Sequence, residues 1–173
     1  MNPIYASARR ADSLLSARFR CCQRIRTVVA RVFGSVMNNV KTVQDIYSAF
    51  GRGDVTSILE RLSLGVTWEY GASSSVLPWL LPRRGREAVR GFFESLEELE
   101  LLRFEPTRFL QTDGIVVVLF DFEATVKATG RRIVEEDEVH IWHFDAEGQV
   151  VRFRHRLDTH QHWLACGMMW GPC

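Results

Sequence analysis

The stretch from Glu135 to Asp158, EEDEVHIWHFDAEGQVVRFRHRLD, constrains the fold more than any other part of the chain. Two runs of alternating side chains flank Asp145-Ala146-Glu147-Gly148, which predicts two long strands joined by a tight turn, with Gly148 supplying a positive φ. Side chains alternate with period 2, so Glu138, His140, Trp142 and Phe144 share one face, and Val139, Ile141 and His143 the other. On the second strand Val151, Phe153, His155 and Leu157 alternate with Val150, Arg152, Arg154 and Arg156. Each strand thus sets an imidazole among large apolar neighbours, His140 beside Trp142 and His155 beside Phe153 and Leu157. That pattern predicts one wall of a pocket.

The segments before this pair read as its support. In VKTVQDIYSAFGRGD, Val40, Val43, Ile46, Tyr47 and Phe50 fall at helical spacing, with Asn38 or Asn39 as cap and Gly51 and Gly53 as stop. Asp54 can cap a second helix that turns Ile58, Leu59 and Leu62 inward. VTWEYG reads as a short strand, and 71–83 as a loop punctuated by Pro78 and Pro82. The loop's Val76, Leu77, Trp79, Leu80 and Leu81 are too apolar for idle surface, so they cap a pocket or meet a partner. A third helix buries Val89, Phe92, Phe93 and Leu96, with close packing expected at Gly91. A strand then follows that Pro106 confines to an edge or a bulge. After Asp113-Gly114 comes the β-branched strand 115–126, and Thr129-Gly130 leads into the focal pair. The tail from Thr159, with Trp163, Leu164, Met168, Met169 and Trp170, has a short helical stretch that can fold over an open sheet or cavity mouth. Three helices ahead of long strands in hairpin succession predict an α+β fold: a curved, cone-shaped antiparallel sheet with helices packed on its concave face. A conical space between such layers suits a ligand.

The N-terminal 36 residues differ from this domain. They hold seven arginines against the single acid Asp12, so with a net charge of +1 the remainder carries −5. Three readings fit them: an extension preceding a domain start near Met37, a targeting segment, or an extra helix. The mildly acidic remainder offers no footprint for nucleic acid. Cys21, Cys22, Cys166 and Cys173 make neither a zinc spacing nor a disulfide framework. No apolar run is long enough to span a membrane, and the expected location is cytoplasmic. The expected division is a basic extension at 1–37, one domain at 38–160 and a tail at 161–173.

VQDIYSAFGRGDVTSILERL, VTWEY, the GREAVRGFF helix start and the closing FDAEGQVVRFRHRLDT together resemble the SnoaL-like polyketide cyclases, of the nuclear transport factor 2 and ketosteroid isomerase superfamily. The likeness covers about residues 38 to 160 and implies the cone-shaped α+β barrel named above. The fold carries cyclases, isomerases, hydrolases, dehydratases and non-catalytic binders, so it implies a pocket rather than one reaction. By resemblance, His140 stands where the isomerases hold a carboxylic acid that donates to an enolate oxygen, and His155 where the cyclases hold a catalytic Asp. Tyr70 aligns with the isomerase base, and the isomerase helix tyrosine aligns nearer Ile46 than Tyr47. The usual isomerase apparatus is therefore missing. Val139, Ile141 and the strand 115–126 leave the outer sheet face apolar, so it must be covered, either by a homodimer, which the resemblance also implies, or by the N-terminal extension or the tail.

Imidazoles titrate near neutrality, so His155 is assigned as base, His140 as donor to a developing enolate oxygen, and Tyr70 as an orienting hydroxyl. Trp68, Phe122, Trp142 and Phe153 would stack on a flat hydrophobic substrate. Glu138, with Glu136, would raise the His140 pKa or bind a substrate hydroxyl. The competing reading makes both histidines core residues satisfied by neighbouring strands or acids. Asp121 and Glu123 are expected to pair with Arg152 and Arg154, and Asp158 to cap or pair. His160 and His162 lack a third ligand, so no metal and no cofactor are expected. The function expected is metal-free acid–base chemistry on a hydrophobic carbonyl compound, of the polyketide cyclase or isomerase type. Two rivals stand beside it: a non-catalytic carrier of an aromatic metabolite, and a scaffold module whose cavity is filled by its own side chains, Trp163 and Trp170 among them.

Overall fold

The computed structural model describes residues 39–70 and 76–168. Helical spacing of Val43, Ile46 and Ala49 produces α1 over 39–51, with those three side chains buried. Gly53, at φ 70, turns the chain, and the Asp54 carboxylate caps α2 (Val55–Glu60) by accepting the Ser57 N–H at 3.0 Å. There follow β1 (Leu62–Glu69), a 3-10 turn at Pro78–Leu80, β2 (Arg83–Arg84) and α3 (Arg86–Ser95). Four long strands come next: β3 (Leu99–Thr112), β4 (Ile115–Val126), β5 (Arg132–Phe144) and β6 (Val150–Arg156), and α4 (Thr159–Ala165) closes the order. Among the described residues no helix is long and apolar enough to cross a membrane.

The strands form one sheet in the order β2-β1-β6-β5-β4-β3. It is curved and unclosed, and the expected α+β architecture is the one observed. Two details differ. β1 runs parallel to β6, whereas the other neighbours are antiparallel. A fourth helix, α4, packs against β5 at the far end of the chain. Part of what reads as a tail is thus built into the domain, while 1–38, 71–75 and 169–173, including Trp170, lie outside the described residues. Pro106 sits on the edge strand β3 beside a register shift, where its missing N–H costs no ladder bond.

Register explains which side chains face inward. His140 lies opposite His155 and Trp142 opposite Phe153, as the alternation requires. A bulge near the turn then sets Phe144 against Val150, so Val150 is buried in place of Val151. Arg152 and Arg154 pair with Glu69 on β1, not with Asp121 and Glu123. The reason is topological: β6 neighbours β1, and β5 separates it from β4. Asp121 pairs with Arg103 at 2.5 Å, and Glu123 pairs with Arg132.

A second bulge, in β5, has the larger consequence. Phe120 pairs with Glu138 but Phe122 pairs with Glu135, so Glu136 and Asp137 both stand against Asp121. Asp137 takes φ 55, and its N–H donates to the Asp121 carboxylate at 3.3 Å. The extra residue breaks the period-2 pattern: Glu135 and Glu138, three apart, are both buried, while Glu136 is exposed. A β-branched side chain tolerates positive φ poorly and glycine tolerates it well. Asp137→Val should therefore cost about 1–2 kcal/mol in denaturant titration, and Asp137→Gly well under that. Equal stabilities for the two variants would refute this account of the bulge.

Candidate functional site

Helices α1 and α3, the 78–80 turn and α4 close over the concave side of the sheet and leave a cavity of about 100 Å³. Its walls are mostly aromatic: Phe50 from α1, Phe92 and Phe93 from α3, Phe104 and Phe120 from the sheet, and Trp79 from the turn. Trp79 and Leu80 line the hollow and Leu77 is buried beside them, so this part of the apolar loop caps it, whereas Val76 and Leu81 are exposed. Trp163 packs on the core without lining the cavity. The polar groups that line it are Tyr47, Glu138, His140, His155 and His162.

Of the residues the sequence singles out, Trp68, Phe122, Glu138, His140, Trp142, Phe153 and His155 all line this space. The two imidazoles meet inside it, their ring centres 4.4 Å apart and nearly perpendicular. Tyr70 does not line it. Its hydroxyl accepts the Trp68 indole N–H at 3.1 Å, behind the wall, because it follows the end of β1. Trp68 and Phe153 stack on each other at 3.9 Å, so each covers much of the other's face. The sandwich a flat ligand would need between them is already filled.

A different tyrosine supplies the hydroxyl. Tyr47, on α1, accepts the Trp142 indole N–H at 3.1 Å and lies 2.8 Å from His140 Nδ1. Burial raises the Tyr47 pKa far above the ordinary phenol value, so it keeps its proton. We assign that proton to His140 Nδ1, because the hydroxyl oxygen already accepts from Trp142, and the ring's own proton then sits on Nε2. His140 is fully enclosed, and desolvation with the neighbouring His155 holds its pKa well below 6.5. It is a neutral imidazole with an N–H to offer.

His155 is arranged from the opposite side. Its Nε2 lies 2.6 Å from Glu138 Oε2, leaving Nδ1 as the ring's other nitrogen. Burial lowers the His155 pKa to about 3. Burial first, then the Glu135 carboxylate, raises that of Glu138 to about 10. The pair therefore rests uncharged, as carboxylic acid and neutral imidazole.

Behind Glu138 stand Glu135 and His162, with 8% and 2% of their surface exposed. Polar atoms of Glu135, Glu138 and His162 all lie within 4.8 Å of one another, a spacing a divalent cation can bridge. The imidazole is turned the wrong way for it. Trp79 Nε1 donates to His162 Nδ1 at 3.0 Å, which puts the ring proton on Nε2, the atom that faces Glu135. A ligating imidazole needs its lone pair there and an N–H on Nδ1. The sequence does not mark Tyr47 or Glu135 as site residues, and it offers His162 only beside His160, whereas the structure sets it with Glu135 and Glu138. The apolar face of α1 carries a hint of Tyr47; the other two depend on the β5 bulge and on α4 folding back.

The sequence profile of the SnoaL-like domain family matches residues 43–153. Among solved structures, a nuclear transport factor 2-like protein of unknown function from Burkholderia pseudomallei is 28% identical, with a TM-score of 0.66 over 74% of this chain and 96% of its own. TerC, co-crystallised with polyporic acid, superposes with a TM-score of 0.64 at 20% identity, over 75% of this chain and 98% of its own. A proposed SnoaL-like polyketide cyclase from Mesorhizobium loti does so with 0.55 at 19% identity, over 67% and 96%. Among curated proteins none matches the chain.

The charge state of the Glu138–His155 pair has a sign in stability. Folded Glu138 keeps a proton that the unfolded chain releases above about 4.5, so its contribution is present at low pH and is lost as pH rises toward 10. His155 acts oppositely, losing stability as pH falls from 6.5 toward 3. Between pH 7 and 9.5 the histidine is neutral in both states, and Glu138 alone of the two sets the slope. Thermal or urea unfolding should show stability declining by up to about 1.4 kcal/mol per pH unit there, and Glu138→Gln should remove that slope. An unchanged slope in the variant would show that Glu138 is ionised throughout.

Proposed function

This chain belongs to the SnoaL-like domain family, and from that premise we propose that it is a general acid–base enzyme acting on a small hydrophobic carbonyl compound, by ring closure or isomerisation through an enolate. One observation carries the reading: Tyr47–His140 and Glu138–His155, two bonded pairs of opposite disposition, meet within 4.4 Å inside an aromatic hollow. In the proposed cycle a substrate carbonyl oxygen accepts the His140 Nε2–H. With Glu138 ionised, His155 holds its proton on Nε2 and takes an acidic proton from carbon, next to that carbonyl, on Nδ1. The Nε2 proton passes to Glu138, and the enolate forms against the His140 N–H. The carbanion then attacks a second carbonyl, whose oxygen takes the proton from His155 Nδ1, or takes that proton back at another carbon, and Glu138 returns its proton to Nε2 in either case. Tyr47 thereby replaces Tyr70 as the hydroxyl of the site.

Size bounds the substrate. A dry cavity of 150 Å³ in another protein admits benzene. About 100 Å³ takes a reacting fragment of roughly that size or less, and a larger molecule needs the wall aromatics to turn. TerC, of the same fold, was crystallised with polyporic acid, which supports a ligand within this architecture. A binding-only reading is favoured by the depressed basicity of both imidazoles, which keeps a wall of neutral donors and acceptors whether or not turnover occurs.

The assembly we propose is a homodimer through the outer sheet face, where Val117, Leu119, Val139 and Ile141 stand half-buried in the single chain. Ile141→Arg should convert a dimer to monomer in sedimentation, and a wild-type monomer at micromolar concentration would end that proposal.

Turnover of a panel of small cyclic and open-chain 1,3-dicarbonyl compounds tests the chemistry. Wild-type rate should climb with pH toward about 10 as Glu138 ionises. His155→Ala and His140→Ala should each lose on the order of 10²-fold or more in kcat while retaining ligand binding. Bound ligand with no turnover in the wild type selects the carrier reading. Full turnover in both variants defeats the assignment of residues.

A further inference from the structure

The hydrogen bonding behind Glu138 is incomplete until one more proton is counted. Glu135 Oε1, Glu138 Oε1 and His162 Nε2 are buried, and with both carboxyls anionic and the ring proton unplaced no hydrogen bond reaches any of them. Two of the three satisfy each other once the His162 ring proton is placed; the third, Glu138 Oε1, still lacks a donor, and a buried polar atom without a partner costs about 1–3 kcal/mol. Trp79 fixes the first step: its indole N–H holds His162 Nδ1, so Nε2–H faces Glu135 Oε1 at 3.0 Å and donates to it. Glu135 Oε2 already accepts the Asp158 N–H at 2.8 Å, at the start of α4. Glu135 is thus supplied with donors on both oxygens. Glu138 has its Oε2 on His155 and no donor for Oε1, and Glu135 is the other carboxyl of the cluster, with oxygen atoms of the two within 4.8 Å.

We propose that Glu135 and Glu138 form a buried acid pair sharing one proton, that His162 and Trp79 orient this pair, and that it is the proton store from which His155 is loaded. Glu138 is the acid and Glu135 its acceptor, and among the described residues the groups set around the pair are Phe120 and Phe122 from β4, His140 and His155 from β5 and β6, and His162 and Trp79 from α4 and the turn. With the shared proton on Glu138 Oε1, His155 keeps its own on Nε2 toward Oε2; when Nδ1 takes a proton from a ligand, the Nε2 proton passes to Glu138 Oε2 and the shared one to Glu135, and the reverse step restores all three. Trp79, His162 and Glu135 are then positioning residues, because they act through Glu138. The catalytic consequence rests on the acid–base reading above, whereas the pair itself is tested on the resting protein without substrate.

The experiment is infrared spectroscopy of the full chain across pH, with nitrogen-15 NMR of its histidines. A carbonyl band of a neutral carboxylic acid should persist at pH 8 in the wild type and vanish in Glu138→Gln. Glu135→Gln removes the negative neighbour, so the band should remain but titrate at least one pH unit lower. His162→Gln, which keeps an N–H donor, should preserve the wild-type midpoint, whereas His162→Leu should move it by a similar amount. The His162 NMR signal should report a proton on Nε2. Absence of the band at pH 8, or a midpoint indifferent to Glu135→Gln in a variant that circular dichroism shows folded, overturns the proposal. So does stoichiometric uptake of Zn²⁺ or Mn²⁺ by the metal-stripped wild type with loss of the His162 Nε2–H signal, since the same three atoms would then be ligands.

Discussion

One extra residue in β5, opposite Asp121, decides what the cavity contains. A regular strand would set Glu136 beside Glu138 on the inner face and send Glu135 to solvent. The bulge at Glu136 and Asp137 exchanges them, bringing Glu135 within reach of Glu138 and of α4. Through the Asp158 N–H and the Gln161 side chain, which accepts the Val134 N–H, that stretch of β5 also anchors α4. The same local irregularity therefore fixes the acids and the helix that carries His162.

Polar groups inside an aromatic shell persist only when bonded, and here three bonded chains meet. Trp142 and Tyr47 hold His140 from α1; Glu138 holds His155 between β5 and β6; Trp79 and His162 hold Glu135 from the turn and α4. Each chain settles a tautomer. Together they make the inner end of the cavity a place where the position of every proton is determined by a neighbour. The aromatic walls contribute by offering few competing donors and acceptors at that end.

Much of this was legible in the chain. The alternation 138–144 and the apolar spacing of α1 and α3 are local patterns, and local patterns fix faces. Pro106 announced an edge because a missing N–H has few places to hide. The partners of Arg152 and Arg154 were not legible, since they depend on which strand lies next to β6. Tyr70 and Tyr47 differ in the same way: one is placed by where β1 ends, the other by the helical phase of α1 against a sheet it meets only after folding. Glu135 and Val150 were hidden by bulges, each of which inserts a residue that no period-2 rule anticipates. His162 lies in a stretch with little pattern of its own, and becomes part of the site because Glu135 and Trp79 are there to receive it.

A site of this composition has a preference among reactions. Carboxylic acid and imidazole resting neutral are inexpensive to bury, whereas the carboxylate–imidazolium form of the same pair would carry two charges into a poorly solvated space. Chemistry that takes a proton and gives it back leaves that balance intact at the end of each cycle, and ring closure or isomerisation through an enolate does so. Hydrolysis would require the aromatic shell to admit water and the pair to part with protons to products that leave. The proton count of the dyad and the dryness of its walls favour the same class of reaction, and they do so for independent reasons: one concerns charge, the other access.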